Sequence, residues 1–565
     1  MTGGTLHLAV SGSTNHVLIG FMLFMMLTLF LTVFSSLDEH SAREFYTGDR
    51  TLPAWKGGLA LAGTYTSTSL LLTVTGVVAT AGFDGITTAT SILLSLGGLL
   101  LLARPIQLSG ACTLGELLSL RAPGTAPRIA AAVATLAVAG PFLVVQLMSA
   151  GSITASLLGY SGTGIQKICT VMIGCLVVTC GVLSGAKGLT SVQVLAVTGI
   201  GTALFVICAY AVHAFHGDID ALIGAAAQGS TDPSRFLSPG GTIGVGSSSY
   251  LDFAGGQFAL VLGSACMPHV LNRLYAMKDP ATARRSIRYA AAIVAVLCTA
   301  LIFLGFTAAA RLGTRGIFGG RTQADGALML LARSLTGGTG NGLGQLMFAA
   351  VACALFLCIL AVVGGTTLAA AGALARDSYH YVARRRRSAP PDELVIARVA
   401  VALFGVAGIT LAVLAQGHSA GFLAQLATTV AASAVAPALL YTFYWRRFNR
   451  TGLLWTVYGG TTLTIGLYLF SPSVSGSPSA LIPAADFAWF GLNSPAVFSV
   501  PAAFLLGWAG SLLGGRRDRR PPAREDDPSA VDTLLLTGRR PAPRAVTPGH
   551  PLPPLAPVRP VRRPL

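Results

Sequence analysis

Apolar runs follow one another from residue 16 to residue 514, broken by short polar connections. Each approaches or exceeds the roughly 20 residues that a helix needs to cross a bilayer. Thirteen are distinguishable, at 16–36, 57–82, 86–109, 128–158, 163–184, 190–213, 248–272, 287–311, 342–375, 394–416, 419–445, 452–471 and 495–514. The pattern predicts an all-α polytopic membrane protein. One run departs from the rest. Between Leu59 and Gly85, Gly63 is followed by Thr64-Tyr65-Thr66-Ser67-Thr68-Ser69. An uninterrupted membrane helix gains nothing from this crowd of hydroxyls. A helix that breaks near the bilayer midplane does, because freed carbonyls and hydroxyls replace water around a small cation. A solute transporter is the first reading.

Composition agrees with the class. The 565 residues are 53 % hydrophobic and only 10 % charged, against about a quarter charged in soluble domains, and mean hydropathy is +0.68. The net charge of +17 reads as topology and not as a nucleic-acid stripe. With the first terminus outside, only Lys167, Arg235, Arg311, Arg315, Arg321 and Arg333 of the 38 Lys and Arg fall on the outer side. The positive-inside rule therefore places the amino end outside and the carboxyl end inside. Arg384 to Arg387 anchor an internal connection. The first run precedes Asp38 and Glu39 and reads as a retained helix, not a cleaved signal. The tail 515–565 is rich in Pro and Arg and is expected to be disordered, resting on anionic lipid. The nine cysteines lack metal-type spacing and read as packing residues.

A second interruption lies five runs after the first. It comprises Asp252-Phe253-Ala254-Gly255-Gly256-Gln257-Phe258 and Gly263-Ser264-Ala265-Cys266-Met267-Pro268-His269. Two Gly/Pro-interrupted spans in corresponding positions point to inverted repeats, helices 2–6 and 7–11. Close packing of small residues gives similar glycines and is the other reading of the pattern. The expected organisation is a first helix and connection (1–56), a first repeat (57–213), an external loop (214–247), a second repeat (248–445), two further helices (446–514) and the tail. No P-loop, phosphorylatable Asp motif, HExxH or paired Asp-rich motif is visible. An integral membrane enzyme lacks its metal cluster, and a sensor lacks its signalling domain. Asp252 reads as a solvated helix cap, His269 as a contact at a helix end or a proton relay, and Glu116 as a cap or an Arg partner.

The residues Glu44-Phe45-Tyr46-Thr47-Gly48-Asp49-Arg50, Leu52-Pro53-Ala54-Trp55 and Gly58 to Gly63 resemble the sodium:solute symporter family. Within it they are most similar to the cation/acetate (monocarboxylate) symporters. The likeness continues through Ser67, Phe83-Asp84-Gly85, Thr113-Leu114-Gly115-Glu116, Gln146 with Gly151, Ser184-Gly185 with Thr190 and Gln193, and Pro268-His269-Val270-Leu271 with Arg273. It ends with Ile359 to Gly365, Arg376-Asp377-Ser378-Tyr379 and Tyr444-Trp445. The resemblance implies a LeuT-type 5+5 inverted-repeat bundle of about 13 transmembrane helices in a bacterial plasma membrane. It implies symport of a short monocarboxylate with Na+, with no cofactor and no obligatory protein partner.

By the same resemblance, Gly63 and Thr66 supply main-chain oxygens to a cation, facing helix nine. There, positions that carry two hydroxyls in many members are Ala361 and Val362 here, and Thr366 and Thr367 lie more than a turn later. Relatives also commonly carry Asp where this chain has Thr64. These departures leave proton coupling or voltage-driven uptake open beside sodium. For the carboxylate, half-helix N-termini provide positive potential without a lysine. The substrate-binding expectation is Tyr65, Ser67, Thr68, Gln146, Gln257 and Phe258, with the two aromatics as walls or gates. Another small solute, such as an amino acid or a sugar, is the alternative cargo on the same fold.

Overall fold

The computed structural model describes residues 12–35, 41–160, 162–230, 232–240, 247–319, 327–335, 342–381, 383, 392–418, 420–476, 480–482, 484–515 and 528–538. The run Arg384 to Arg387 lies outside the described residues. All thirteen apolar runs are helical. In chain order the helices are α1 (Gly12–Phe34), α2 (Ala42–Thr47), α3 (Ala54–Tyr65), α4 (Thr68–Ala81), α5 (Phe83–Ser109), α6 (Leu114–Leu118) and α7 (Thr125–Leu157). They continue as α8 (Thr163–Leu183), α9 (Ala186–Ala214), α10 (Ile219–Gly229), α11 (Ser247–Cys266), α12 (Pro268–Tyr275), α13 (Pro280–Gly319) and α14 (Ala327–Leu335). Then follow α15 (Gly342–Ala371, ending in a π turn) and α16 (Glu393–Ala415). Next come α17 (Ala420–Tyr444, with a π turn inside), α18 (Arg450–Leu454, continued through a π turn into Gly460–Leu469), α19 (Ala496–Gly514) and α20 (Pro528–Thr537).

Among the described residues, ten helices are long and apolar enough to cross a membrane, and α3 with α4 make an eleventh span bent by 61°. One expectation is corrected. The tail is not wholly without structure, because residues 528–537 form α20. Val531 and Leu534 of α20 are buried, and Asp532 pairs with Arg121 and Arg446 at 2.7 and 2.8 Å. Composition missed this because a short amphipathic turn gains its stability from docking, not from propensity.

The packing carries an internal symmetry. Helices α3 and α4 pack on α13 as α11 packs on α5; α9 packs on α15 as α17 packs on α7; α7 and α15 meet at the centre. Two glycines repeat one contact: a Cβ on Gly63 would collide with the Gln193 carbonyl of α9, and one on Gly263 with the Thr428 carbonyl of α17. In a bilayer, such backbone approaches gain close van der Waals contact that larger side chains forfeit. Both broken helices are thereby held hard against the frame at their break.

Candidate substrate and cation site

The first break is made by its own hydroxyls. The Thr66 hydroxyl donates to Ala62 O (2.7 Å), the same carbonyl that receives the Thr66 N–H (2.8 Å). Thr66 adopts φ −77°, ψ 63°, and Ser67 N–H donates to Tyr65 O at 2.8 Å. This is an inverse γ-turn, which replaces the next helical bond to Gly63 O. Ser67 is extended, and its hydroxyl accepts from Leu70 N–H (3.1 Å), capping α4. The break therefore falls at Thr66–Ser67, within the hydroxyl run that follows Gly63. Gly63 stays helical because its role is contact with α9. The second break is at Met267 (φ −62°, ψ 130°), with Pro268 opening α12; proline has no N–H to continue the preceding helix.

Between the two breaks lies a cavity of about 720 Å³. Tyr65, Ser67, Ser69 and Thr73 line it from the first broken helix, Gln257, Ser264 and Met267 from the second, and Phe142 from α7. Gln425 and Thr428 of α17 complete the wall, and Asp84, Asp252, Asn493 and Ser494 stand among its lining. Among the described residues no Lys or Arg lines it. The Tyr65 hydroxyl joins the breaks, donating to Ser264 O (3.4 Å) and accepting from Ser95 Oγ (3.2 Å). The first turns of α4 and α12 leave main-chain N–H groups without intrahelical acceptors.

Of the expected substrate residues, Tyr65, Ser67 and Gln257 line the cavity, and Ser91 Oγ donates to Gln257 Oε1 at 2.6 Å. Gln146 is fully buried behind the wall and donates to Ser69 Oγ (3.2 Å). Thr68 is turned into the protein, its hydroxyl reaching Leu355 O at 3.5 Å. Phe258 does not face the cavity: it is 58 % exposed on the outer side of α11. Phe253, Gly256, Gln257, Leu260 and Ser264 form the lining stripe, and the helical period turns position 258 away from it. Ser69, Phe142, Gln425 and Thr428 had not been singled out. Gln425, a lone amide in an apolar run, was the available signal for one of them.

The candidate cation residues do not all meet. Thr68 marks the level of Leu355 on α15, and Ala361 follows within two turns, fully buried. Thr366 and Thr367 lie about 16 Å further along the axis than Leu355 at 1.5 Å per residue. Their hydroxyls donate to Val363 O at 3.0 and 2.8 Å. Thr367 also faces Gly181 of α8, where a Cβ would stand 3.1 Å from its Oγ1.

Ion pairs and hydrogen bonds tie the elements at the far end. Asp377 accepts from Thr113 Oγ1 (2.7 Å), Gly115 N–H (3.1 Å) and Arg128 Nη1 (3.4 Å). Arg376 pairs with Glu116 (2.7 Å) and Glu393 (2.9 Å), and Glu116 also accepts from Cys112 N–H. Burial, and next the Glu393 charge, push the nearby Tyr46 phenol well above its ordinary value. At the other end, Asp252 accepts from Ser494 N–H (2.8 Å) and Asn493 Nδ2 (3.1 Å), so it fastens a loop and is not merely a solvated cap. Asp84 accepts from Gly240 N–H (2.8 Å).

Residues 45–460 match the model of the sodium:solute symporter family. A monocarboxylic acid transporter of Corynebacterium glutamicum is 31 % identical over 531 residues, spanning 92 % of this chain and 94 % of its own length. An uncharacterized symporter of Bacillus subtilis is 32 % identical over 488 residues, with 86 % and 92 % covered. Among solved structures, a Na+-coupled sialic acid symporter in a substrate-bound outward-open state aligns with a TM-score of 0.67 at 14 % identity, covering 89 % of this chain and 98 % of that one. A nucleobase-cation-symport-1 family transporter in a closed conformation gives 0.51 at 15 % identity, with 86 % and 97 % covered. The structural likeness establishes a shared LeuT-type helical fold. The chain belongs to the sodium:solute symporter family and is a multi-pass solute transporter of a bacterial plasma membrane, not an enzyme.

Proposed function

We propose that the protein imports a short monocarboxylate, such as acetate, propionate or pyruvate, together with Na+ by alternating access. The observation that carries this reading is the cavity between two helix breaks, whose lining mixes apolar side chains with hydroxyls, amides and the carboxylates of Asp84 and Asp252, and among the described residues includes no Lys or Arg. A carboxylate there is held by main-chain N–H groups at the start of α4 and by the positive ends of α4 and α12. Such a site releases its ligand more readily than a buried ion pair would. The Corynebacterium relative's name supports the substrate class.

The cation sits at the end of α3, held by main-chain oxygens of Gly63 and Thr66 and by that of Ala361 on α15. The negative end of α3 and the positive end of α4 place cation and anion next to one another. With the amino end outside, the face bearing Asp84 and Asp252 is external, and the face held by Asp377 and Arg376 is closed toward the cell. Opening that inner face delivers both ligands.

A second reading, coupling to protons or to membrane potential alone, is favoured by one feature. Ala361 and Val362 offer no side-chain oxygen, and the Thr64 hydroxyl is occupied by Ala60 O at 2.9 Å. Uptake of labelled acetate into proteoliposomes separates the two. A sodium gradient imposed alone is expected to drive accumulation that a proton gradient or a potential alone does not match. Equal uptake with and without the sodium gradient would remove sodium from the mechanism, and no acetate, propionate or pyruvate movement under any gradient would remove the substrate class.

A further inference from the structure

Phe142 has two faces. One lines the substrate cavity, and the ring also stacks on His269 of α12, with centroids 5.2 Å apart and an interplanar angle of 17°. Past this floor lies a set of polar side chains the transport cavity does not use. His269 is 2 % exposed, Gln193 of α9 is 0 %, Arg273 of α12 is 1 % and Thr190 of α9 is 2 %. Arg273 Nη1 donates to Thr190 Oγ1 at 3.1 Å. His269 and Gln193 converge over Gly365 of α15, where a Cβ would stand 3.4 Å from His269 Cβ and 4.0 Å from Gln193 Nε2. A Cβ at 365 would meet both at ordinary van der Waals distance.

Within the described residues neither amide atom of Gln193 has a hydrogen-bond partner, and nor does His269 Nδ1. An orphaned buried polar group costs about 1–3 kcal/mol, and this set includes two such residues in a helix bundle that has apolar alternatives at every position. Such a cost is offset when another conformation, or a ligand, supplies the missing partners. The set is rich in donors: a guanidinium, an imidazole, an amide and a hydroxyl each offer an N–H or O–H group, beside the Gln193 amide oxygen and one acceptor nitrogen of a neutral imidazole. Planar, charge-assisted recognition of a carboxylate suits such donors.

We infer that Gln193, His269 and Arg273, with Thr190 behind them, form a second carboxylate site on the inner side of Phe142. The anion occupies it on its way from the cavity to the cytoplasm, after Phe142 and Met267 have moved aside. The walls are suited to opening, since the site is enclosed by α9, α12 and α15 beside α3, and α3 and α12 are the inner halves of the two broken helices. The outer cavity holds the anion by main-chain dipoles, and the inner one holds it by side-chain donors. This inference rests on the monocarboxylate reading above.

The test measures half-saturation for acetate from each face of proteoliposomes, with equal sodium on both sides, in the wild type and in Gln193→Leu. The variant is expected to raise the inner-side value at least fivefold and leave the outer-side value within twofold. Detailed balance then requires the ratio of maximal influx to maximal efflux to fall by the same factor. Its thermal midpoint in detergent should equal or exceed that of the wild type, because the orphaned amide is gone. Gln193→Glu, of the same size, carries the test if the leucine variant does not insert, and it is expected to weaken inner-side binding further by charge repulsion. Half-saturation that shifts equally on both faces, or on neither, overturns the inner site. A wild type that moves no monocarboxylate overturns the substrate reading instead.

Discussion

Gly63 lies flat against the main chain of Gln193, so close that a Cβ would collide with the Gln193 carbonyl oxygen. Because that neighbour is backbone, it cannot rotate away. Gly63→Ala is expected to cost about 1–3 kcal/mol of stability by overpacking and to displace the carbonyls at the end of α3, reducing sodium-driven uptake. Gly263→Ala, which meets Thr428 in the same manner, should behave alike. Thermal unfolding in detergent and uptake by the inserted fraction check both; wild-type values in either assay for Gly63→Ala would contradict the contact.

Tyr65 is the one cavity residue whose side chain spans both breaks. Tyr65→Phe keeps the ring and removes the bonds to Ser264 O and Ser95 Oγ. A loss of ~1 kcal/mol, the net worth of a typical hydrogen bond, corresponds to about a fivefold rise in half-saturation for acetate. Concentration-dependent uptake gives the value directly, and a change under twofold would make the bridge irrelevant to binding.

The contacts around Asp377 depend on a missing side chain. A Cβ on Gly115 would stand 2.6 Å from Asp377 Oδ1, in the space through which the Gly115 N–H reaches the carboxylate. Gly115→Ala is expected to push Asp377 off Thr113 and Arg128 and favour the inward-open state. A cysteine at an inner lining position then gains reactivity toward a membrane-impermeant reagent added from the inside. Unaltered labelling would separate Asp377 from gating.

Thr366 and Thr367 spend their hydroxyls on Val363 O. Thr366→Val and Thr367→Val are accordingly expected to leave the sodium concentration for half-maximal uptake within twofold of the wild type. A tenfold rise in either would bring that hydroxyl back into the cation's shell.

Asp532 holds α20 to the helix bundle through Arg121, whose side chain is only 4 % exposed, and through Arg446. Arg104 adds a bond to Leu536 O at 3.1 Å. Asp532→Ala leaves Arg121 without its acid, and amide exchange over residues 528–538 should quicken at least tenfold while the membrane helices keep their protection. Equal exchange in variant and parent would show that apolar contacts alone hold the helix.

The helical class, both interruptions and the family were legible because each rests on local pattern: long apolar runs, the hydroxyl crowd after Gly63, Pro268 after Met267. Facing was harder to read. Phe258 and Phe253 are five residues apart on one helix, and only the packing of α11 decides which of them meets the cavity. The exact turn of the first break depended on competition between the Thr66 hydroxyl and the main-chain N–H for Ala62 O, which spacing does not reveal. Thr366 and Thr367 have suitable chemistry, but their hydroxyls are engaged by Val363 O. The residues that sequence reading passed over, Phe142, Gln425 and Thr428, come from two separate helices and share no motif, and Ser69 was legible only as one member of the hydroxyl run after Gly63. Docking of α20 depends on Arg121 and Arg446, more than 80 residues before it in the chain.

The most direct test is equilibrium binding of acetate to the purified protein at zero and saturating sodium, paired with sodium binding at zero and saturating acetate. Adjacent ligands at one pair of broken helices must tighten each other by the same factor, about 5- to 150-fold for typical coupling energies. Acetate isotherms that coincide with and without sodium would show that the two do not share the site described.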